Sequence, residues 1–314
     1  MPLKIYSESN IDCNQWAGLS NHSVYSSPEF MAIWKPMGGR TIFIIDENDG
    51  KYRAGLAGLV FGNRFMRRFQ SMPDGFKGGF YFANDTNEDE RSEFVENVID
   101  WFRSTNIIRA DIHSPDYELK SKFFISRLTE THIIDLDNDI EKIIDPKISK
   151  HIRTGKKRGA EVGKLDCLED INRFYRLVEM SERKHGGKPR YPKELFQELL
   201  GIAMNDDRIG WLAVRNEGQL IASRIFFIEN DEIFFWQFYA DPDSRSLKPA
   251  YLLNEYCLNW AIDNKFKIIN LGWSPPLATG LKDYKEKWGG QKRPFHYYTF
   301  YGGLGKLLYQ WREK

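Results

Sequence analysis

Residues 268–290, IINLGWSPPLATGLKDYKEKWGG, carry the clearest structural signal in the chain. The apolar residues at 268–271 predict a short buried strand, which ends at Gly272. A proline-rich loop follows, and a brief cationic helix then runs to Gly289. Open α/β sheets bind ligands where a strand enters such a loop, because backbone groups freed at the strand end can contact the ligand. The stretch therefore predicts an α/β fold with a ligand site at this strand end.

Length, composition and charge define the broad class of the protein. The 314 residues, 41% of them hydrophobic, are enough for a substantial core in one large domain or two. The 45 basic and 44 acidic side chains give a formal charge of +1, so the overall charge does not point to DNA or an anionic membrane as a partner. No apolar run approaches the ~20 residues of a transmembrane helix, and the first residues lack the pattern of a signal peptide. We therefore expect a cytoplasmic protein without a transmembrane segment.

The spacing of the cysteines and the absence of familiar motifs limit the kinds of cofactor and enzyme class that the sequence supports. Cys13, Cys167 and Cys257 are widely spaced and lack the C-x2-C pattern of metal sites, so we expect buried, reduced thiols and no metal cofactor. The sequence contains no nucleophile elbow, P-loop or zinc signature. Hydrolase, kinase and metalloenzyme functions therefore have no support.

The order of predicted elements repeats in the two halves of the chain. The segments 98–114 and 258–274 align as two helix–strand units, with Trp101 opposite Trp260. We interpret this as an internal duplication, and chance similarity is the alternative. The duplication predicts two mixed α/β halves, residues 1–140 and 141–314, with a ligand cleft between them.

The segment 241–250, DPDSRSLKPA, predicts an anion site at the start of a helix. Unpaired backbone N–H groups and the helix dipole favour an anion there, and two cationic side chains add charge. An ordinary helix start is the alternative. The residues expected to contact a phosphate-bearing donor are Arg245, Ser246, Lys248, Ala250 and Tyr251.

Three residues are candidates for the reaction itself. Lys285 could stabilise the oxyanion that develops during acyl transfer, although its lysine-rich neighbourhood also fits a surface charge cluster. Tyr239 ends an aromatic strand beside the anion loop, where its hydroxyl could reach a substrate. Asp241 is a candidate proton acceptor, and Asp283 is the alternative. Strand alternation predicts that Trp236 lies on the face opposite Tyr239.

A basic segment at 148–162 predicts a helix with Lys150, Arg153 and Lys157 on one face. This face either contacts phosphate or is a solvated surface. The glycine-rich loop at 185–191, which contains Arg190, is too polar to belong to a core.

The pattern Gly280-x3-Tyr284-Lys285-x2-Trp288-Gly289, after Leu271-Gly272-x-Ser274, resembles the FemAB-like branch of the GNAT acyltransferases. The resemblance covers mainly residues 148–298. It implies two tandem GNAT-like domains, each a mixed sheet flanked by helices, with the donor site in the second. Arg245-x-x-Lys248-x-Ala250 matches the first and last positions of the motif that binds acyl-CoA in GNAT enzymes, but lysine replaces the first glycine.

The resemblance implies transfer of an acyl or aminoacyl group to an amine of a cell-envelope precursor, which is a small molecule or a lipid-linked compound. The donor is acyl-CoA or, as in the bridge-forming relatives, aminoacyl-tRNA. An acetyltransferase on a small metabolite and a non-catalytic binding protein are the alternatives. The C-terminal stripe Leu304, Leu307, Leu308, Trp311 either touches a membrane peripherally or docks on the body. The residues expected to contact substrate are Arg153, Arg190, Trp236, Ser274 and Tyr284.

Overall fold

The computed structural model describes residues 3–73, 75–114, 117–184, 186–275, 277–303 and 305–306. The chain divides into two compact units. Unit 1 comprises residues 1–129 and 294–314, and unit 2 comprises residues 130–293. All four residues of the predicted C-terminal stripe lie outside the described residues.

The described residues form thirteen β-strands and nine α-helices. The strands are β1 Lys4–Tyr6, β2 Arg40–Asn48, β3 Lys51–Asn63, β4 Met66–Gln70, β5 Phe80–Phe82, β6 Ile107–His113, β7 Phe124–Asp135, β8 Ala160–Lys164, β9 Ile209–Asn216, β10 Gln219–Glu229, β11 Glu232–Ala240, β12 Ile268–Trp273 and β13 Gln291–Tyr301. The helices are α1 Cys13–Leu19, α2 Pro28–Ala32, α3 Glu88–Ser104, α4 Ile140–Ile143, α5 Lys147–Lys157, α6 Ile171–Lys184, α7 Lys193–Ala203, α8 Pro249–Asp263 and α9 Thr279–Lys287. Short 3-10 helices occur at Lys35–Met37, Leu168–Asp170 and Pro242–Leu247.

Unit 1 is a mixed sheet covered by α3. Its strands lie in the order β1-β2-β3-β4-β6, followed by the C-terminal part of β13, and β5 pairs with β3. Asn87 and Glu90 start α3 with a reciprocal capping box. The buried face of α3, which includes Val98 and Phe102, packs on the apolar side chains of the sheet.

In unit 2 the strands lie in the order β7-β12-β11-β10-β9-β8 and include both parallel and antiparallel pairs. The β8–β11 run is antiparallel, whereas β11 and β12 are parallel and are connected by α8. The parallel pairing covers only Glu232–Phe234 and Ile268–Asn270. The remaining residues of both strands, all of them described, are not paired with each other, so the sheet opens at the carboxyl ends of β11 and β12. This is the strand end at which the sequence predicts a ligand site.

The two units share the helix–strand connection that the predicted duplication implies. In unit 1 the chain passes from β4 through β5 and α3 to the parallel strand β6, and in unit 2 it passes from β11 through α8 to the parallel strand β12. The two helix–strand segments that align in the sequence are α3–β6 and α8–β12. Residues 297–301 of β13 pair with β6, however. The C-terminal segment therefore belongs with unit 1, and not with the second half to which the sequence analysis assigned it.

Two local predictions need correction. The basic helix α5 ends at Lys157, because Gly159 adopts a left-handed conformation (φ 77°) and turns the chain into β8. Cys257 is buried, as expected, but Cys13 is exposed and Cys167 is half-buried. No helix among the described residues has the length and apolarity that a membrane crossing requires.

Candidate functional site

Lys285 lies at the opening between β11 and β12. It is the one buried residue of α9, with 6% of its surface exposed. Its Nζ donates hydrogen bonds to the carbonyl oxygens of Gly272 (2.7 Å) and Trp273 (3.1 Å). An ammonium group has three N–H donors. Two are therefore engaged by strand-end carbonyls, and among the described residues none accepts the third.

The end of β12 has the irregular backbone that this contact requires. Gly272 has φ 78°, a conformation that side chains with a Cβ rarely adopt. Asn270 fixes the turn, since its Oδ1 accepts hydrogen bonds from Gly272 N (2.9 Å) and Thr131 Oγ1 (2.6 Å). Its Nδ2 donates to Glu232 Oε1 at 2.9 Å. This buried network holds the two carbonyls toward Lys285.

Arg224, on β10, is a second buried cation of the site, with 7% of its surface exposed. Its Nη2 donates to Asn254 Oδ1 (2.9 Å), and its guanidinium lies over the rings of Phe235 (4.2 Å) and Phe238 (5.4 Å). Its Nε has no hydrogen-bond partner. In the described part of the chain, Arg224 has no carboxylate partner. A buried charge without a counter-ion is costly, and the site thus favours an anionic group in a ligand or a transition state.

The electrostatic environment perturbs several titratable groups. Burial, reinforced by the charge of Arg224, lowers the pKa of Lys285 to about 8. Burial likewise lowers the pKa of Arg224 and raises that of Tyr284. It raises the pKa of the Cys257 thiol to about 12, so this cysteine stays protonated at neutral pH. A pKa of about 8 brings Lys285 close to the range in which acid–base chemistry is useful.

Aromatic side chains connect the helix that carries Lys285 to the start of α8. The ring of Tyr251 makes an edge contact with Tyr284 (5.5 Å between centroids) and lies 6.3 Å from that of Trp288. His151 of α5 lies 4.5 Å from Tyr251. Ser274 is also buried, and its Oγ has no hydrogen-bond partner. The structure therefore brings Tyr251, Tyr284 and Ser274 to the same region as Lys285.

The predicted anion loop forms the 3-10 turn Pro242–Leu247 at the start of α8. Asp241 caps this turn by accepting a hydrogen bond from Asp243 N at 2.9 Å, a structural role for the predicted proton acceptor. Lys248, which stands at the position of the first glycine in the motif, adopts a left-handed conformation (φ 56°) that glycine takes without strain.

The side chains of the loop differ in their availability. Arg245 and Ser246 are exposed, whereas Ala250 is half-buried. Arg245 has no ion-pair partner within the described residues. Arg158 Nη1 donates to the Ser246 carbonyl (2.9 Å), which ties the end of α5 to the loop. The loop thus presents Arg245 and the half-buried Lys248 to a ligand.

The prediction for the aromatic strand is wrong about the faces. β10 and β11 change register between Ile225 and Phe226, which leaves Trp236 as a bulge residue. Trp236 and Tyr239 consequently both pack against Phe196. Tyr239 is buried in this aromatic cluster. The sequence analysis expected its hydroxyl to be accessible to a substrate.

The two arginines predicted to bind the acceptor lie at the surface. Arg153 is exposed on α5, where its Nε donates to Ser149 O at 3.4 Å. Arg190 is exposed beside the ring of Tyr191, at 5.4 Å. Neither contacts Lys285 or Arg224, and their binding roles stay predictions.

Sequence reasoning missed Arg224, Asn254 and His132. Arg224 could have been recognised from the sequence, because it is a charged residue inside the apolar strand 220–228. Nothing in the sequence around Asn254 indicates a role in the site. His132, in β7, has no exposed surface, and neither ring nitrogen has a hydrogen-bond partner. Burial, followed by the positive charge of Lys285, lowers its pKa. Among the described residues, no group of three or more His, Cys, Asp or Glu side chains could hold a metal ion.

Comparisons with known proteins agree with this architecture. Residues 146–286 match the family model described as an acetyltransferase (GNAT) domain. The structure of FemX aligns over 100% of both chains, with a TM-score of 0.70 and 12% identity. A domain from Agrobacterium fabrum, described as the C-terminal part of a lysylphosphatidylglycerol synthetase, aligns over 97% of this chain and 96% of its own, with a TM-score of 0.64 and 10% identity.

A tandem GNAT protein from the clavulanic acid biosynthesis pathway aligns over 96% of this chain and 99% of its own, with a TM-score of 0.56 and 10% identity. No curated protein sequence matches the chain. At these identities the structural likeness shows a shared fold. The fold is that of tandem GNAT proteins, as the sequence predicted.

Proposed function

Because residues 146–286 match the family model of an acetyltransferase (GNAT) domain, we propose that the chain is an acyltransferase that transfers an acyl or aminoacyl group to an amine of a cell-envelope precursor. The observation that carries the proposal is the buried Lys285, which two carbonyls hold at the open strand end. Its free N–H donor and its positive charge are what acyl transfer requires at the developing oxyanion.

The reaction follows from this geometry. A neutral amine attacks the acyl carbonyl, and a C–N bond forms while the carbonyl oxygen becomes an oxyanion. The third N–H of Lys285 stabilises that oxyanion, and the charge of Arg224 adds to the stabilisation. The C–S bond of an acyl-CoA, or the C–O ester bond of an aminoacyl-tRNA, then breaks. The departing thiolate or alkoxide takes the proton that the amine loses.

Two buried cations also act on the acceptor before it reacts. A protonated amine is repelled from a site that already contains Lys285 and Arg224, so the site selects the neutral, nucleophilic form. The unpaired Nε of Arg224 and the unpaired Oγ of Ser274 offer further polar contacts to a substrate.

The donor is proposed to bind through the loop before α8. Both candidate donors carry phosphate, which suits the positive end of this fifteen-residue helix and the exposed Arg245. Arg245 and Ala250 match the first and last positions of the acyl-CoA motif, and the left-handed backbone of Lys248 is one that glycine adopts readily, which supports acyl-CoA. The FemAB-like pattern at 271–289 supports aminoacyl-tRNA as the alternative.

An envelope acceptor is proposed from the same resemblances. The Agrobacterium neighbour is named for a lysyl-modified phospholipid, and the FemAB-like pattern implies a peptidoglycan or nucleotide-sugar amine. The tandem GNAT neighbour from clavulanic acid biosynthesis supports the second candidate, an acetyltransferase for a small metabolite.

Donor binding and product formation test the proposal in two steps. Thermal shifts are measured with acetyl-CoA, coenzyme A and an aminoacyl-tRNA, since a ligand that binds only the folded state raises the apparent Tm. The protein is then incubated with each donor and with a nucleotide amino sugar or a lysine-containing peptidoglycan precursor, and mass spectrometry detects the amide. Formation of an amide with one donor supports the proposal. Saturable donor binding without any amide would favour a binding protein, and the absence of both would contradict the proposal.

A further inference from the structure

Unit 1 contains a cavity of about 640 Å3 that none of the preceding chemistry uses. It lies where β2, β4 and β6 begin, and the end of α3 forms one wall. This is the opposite end of the parallel strands β4 and β6 from the carboxyl ends at which α/β sheets usually bind ligands. The volume lies within the range of small-molecule sites.

The charged side chains of the cavity are mostly cationic. Arg40, Arg67 and Lys35 line it, and the single carboxylate, Glu8, is paired with Lys35. Within the described residues Arg40 has no ion-pair partner. Arg67 donates one hydrogen bond, from Nη1 to Thr105 O (3.3 Å), and its buried Nε has no acceptor. The lining therefore has a net charge of two positive units, which no carboxylate among the described residues neutralises.

Apart from Ser7 and Thr41, the rest of the lining is apolar and includes an aromatic surface. Trp101 of α3 is half-buried, and Ile42, Val60 and Ile107 line the cavity with it. Apolar walls with a few convergent polar groups are typical of sites for small organic ligands. A ligand for this cavity therefore needs an apolar, ring-bearing body as well as negative charge.

We propose that this cavity binds an organic phosphate monoester with an aromatic body. A monoester carries −1.5 to −2 charges near pH 7, which matches the two uncompensated cations better than the single charge of a carboxylate. The guanidinium groups of Arg40 and Arg67 bind the phosphate oxygens, and Nε of Arg67 gains its missing acceptor. The ring packs against Trp101.

The test uses phenyl phosphate as the probe and isothermal titration calorimetry of the full chain. Inorganic phosphate, phenol and benzoate are titrated in parallel to separate the contributions of charge and ring. We expect saturable binding of phenyl phosphate, at least 10-fold tighter than each of the other three compounds. Equal affinity for inorganic phosphate would overturn the role of the apolar wall, and equal affinity for benzoate would overturn the preference for a dianion.

Variants assign the binding to this cavity. Arg67→Ala should weaken phenyl phosphate binding at least 10-fold, and Arg40→Ala provides a second variant in case the first fails to fold. Arg68→Ala is the matched control, because Arg68 is exposed on the same strand and does not line the cavity. NMR of the protein labelled with 15N-tryptophan gives a further readout, in which the indole signal of Trp101 is assigned by its absence from the spectrum of Trp101→Phe. This signal should shift when phenyl phosphate is added. Undiminished binding by both arginine variants, or shifts of other indoles with that signal unmoved, would refute the proposal.

Discussion

Replacement of Lys285 by methionine separates the cost of burying a charge from its use in catalysis. Methionine has a similar length and no charge, so it fills the same space in α9. We expect Lys285→Met to lose transfer activity and to keep its fold. The reason for each expectation can be given a magnitude.

Stability is expected to change little. The pKa of Lys285 falls from an ordinary 10.5 to about 8, so holding its ammonium group in this site costs about 3 kcal/mol at pH 7. The variant avoids this cost but loses two hydrogen bonds to carbonyls, each worth about 1 kcal/mol. The two effects nearly cancel, and the variant should be as stable as the wild type or more stable by about 1 kcal/mol. Activity, in contrast, should fall ~100- to 1000-fold, which is the usual effect of removing one oxyanion donor.

The assay pairs single-turnover rates with chemical denaturation at several pH values. Between pH 8 and 10.5 the unfolded chain keeps the proton on Lys285 while the folded protein has released it, so the unfolded state binds more protons. Raising the pH should therefore stabilise the wild type relative to Lys285→Met, by up to about 3 kcal/mol. Lys287→Met, an exposed change on the same helix, is the control and should be neutral in both measurements. A variant that retains a third of the wild-type rate, or a pH dependence identical to that of the wild type, would refute the reasoning.

Three further predictions concern the surroundings of this lysine. Because Lys285 loses its proton above pH about 8, kcat/KM should fall there. Arg224→Met removes a like charge and should move this fall to higher pH, whereas Arg224→Lys should leave it in place. An unmoved pH profile in the methionine variant would contradict the electrostatic coupling. Gly272→Ala should cost about 1–2 kcal/mol of stability and reduce the rate, because alanine seldom adopts a φ of 78°. The control for the denaturation and rate measurements is Gly280→Ala, since a Cβ added at Gly280 would meet no atom within 4 Å. Arg245→Ala should weaken donor binding at least 10-fold without lowering the Tm, and an unchanged thermal-shift titration would remove it from the donor site.

The parts of the fold that could be predicted have strong local signals. The segment 268–290 contains its own strand, glycine exit and helix, and the structure has β12, Gly272 and α9 at those places. The repeated helix–strand order likewise gave the tandem architecture. The position of β13 could not be read in this way, because its pairing with β6 joins residues almost 190 positions apart in the sequence, as in the bond between Thr299 and Asp111.

The site was only partly predictable for a similar reason. Lys285 stands in a recognisable pattern, but the bulge at Trp236 depends on how β10 pairs with β11. Strand alternation assumes a regular ladder, and one inserted residue reverses every face beyond it. Arg224 is a candidate site residue because it is buried and its charge acts on Lys285. The sequence of its own strand does not show that the two residues are close in space.

The distribution of unsatisfied polar groups in unit 2 supports the same site without reference to any family. Folded proteins seldom bury a polar atom without a partner, since each such atom costs free energy. Arg224 Nε, Ser274 Oγ and both ring nitrogens of His132 are nevertheless buried and unpartnered. Ser274 directly follows a carbonyl that binds Lys285, and the charges of Arg224 and Lys285 act on one another, as do those of Lys285 and His132. Groups that a stable core would pair are thus left available around one lysine, which is the arrangement expected where a substrate supplies the missing partners.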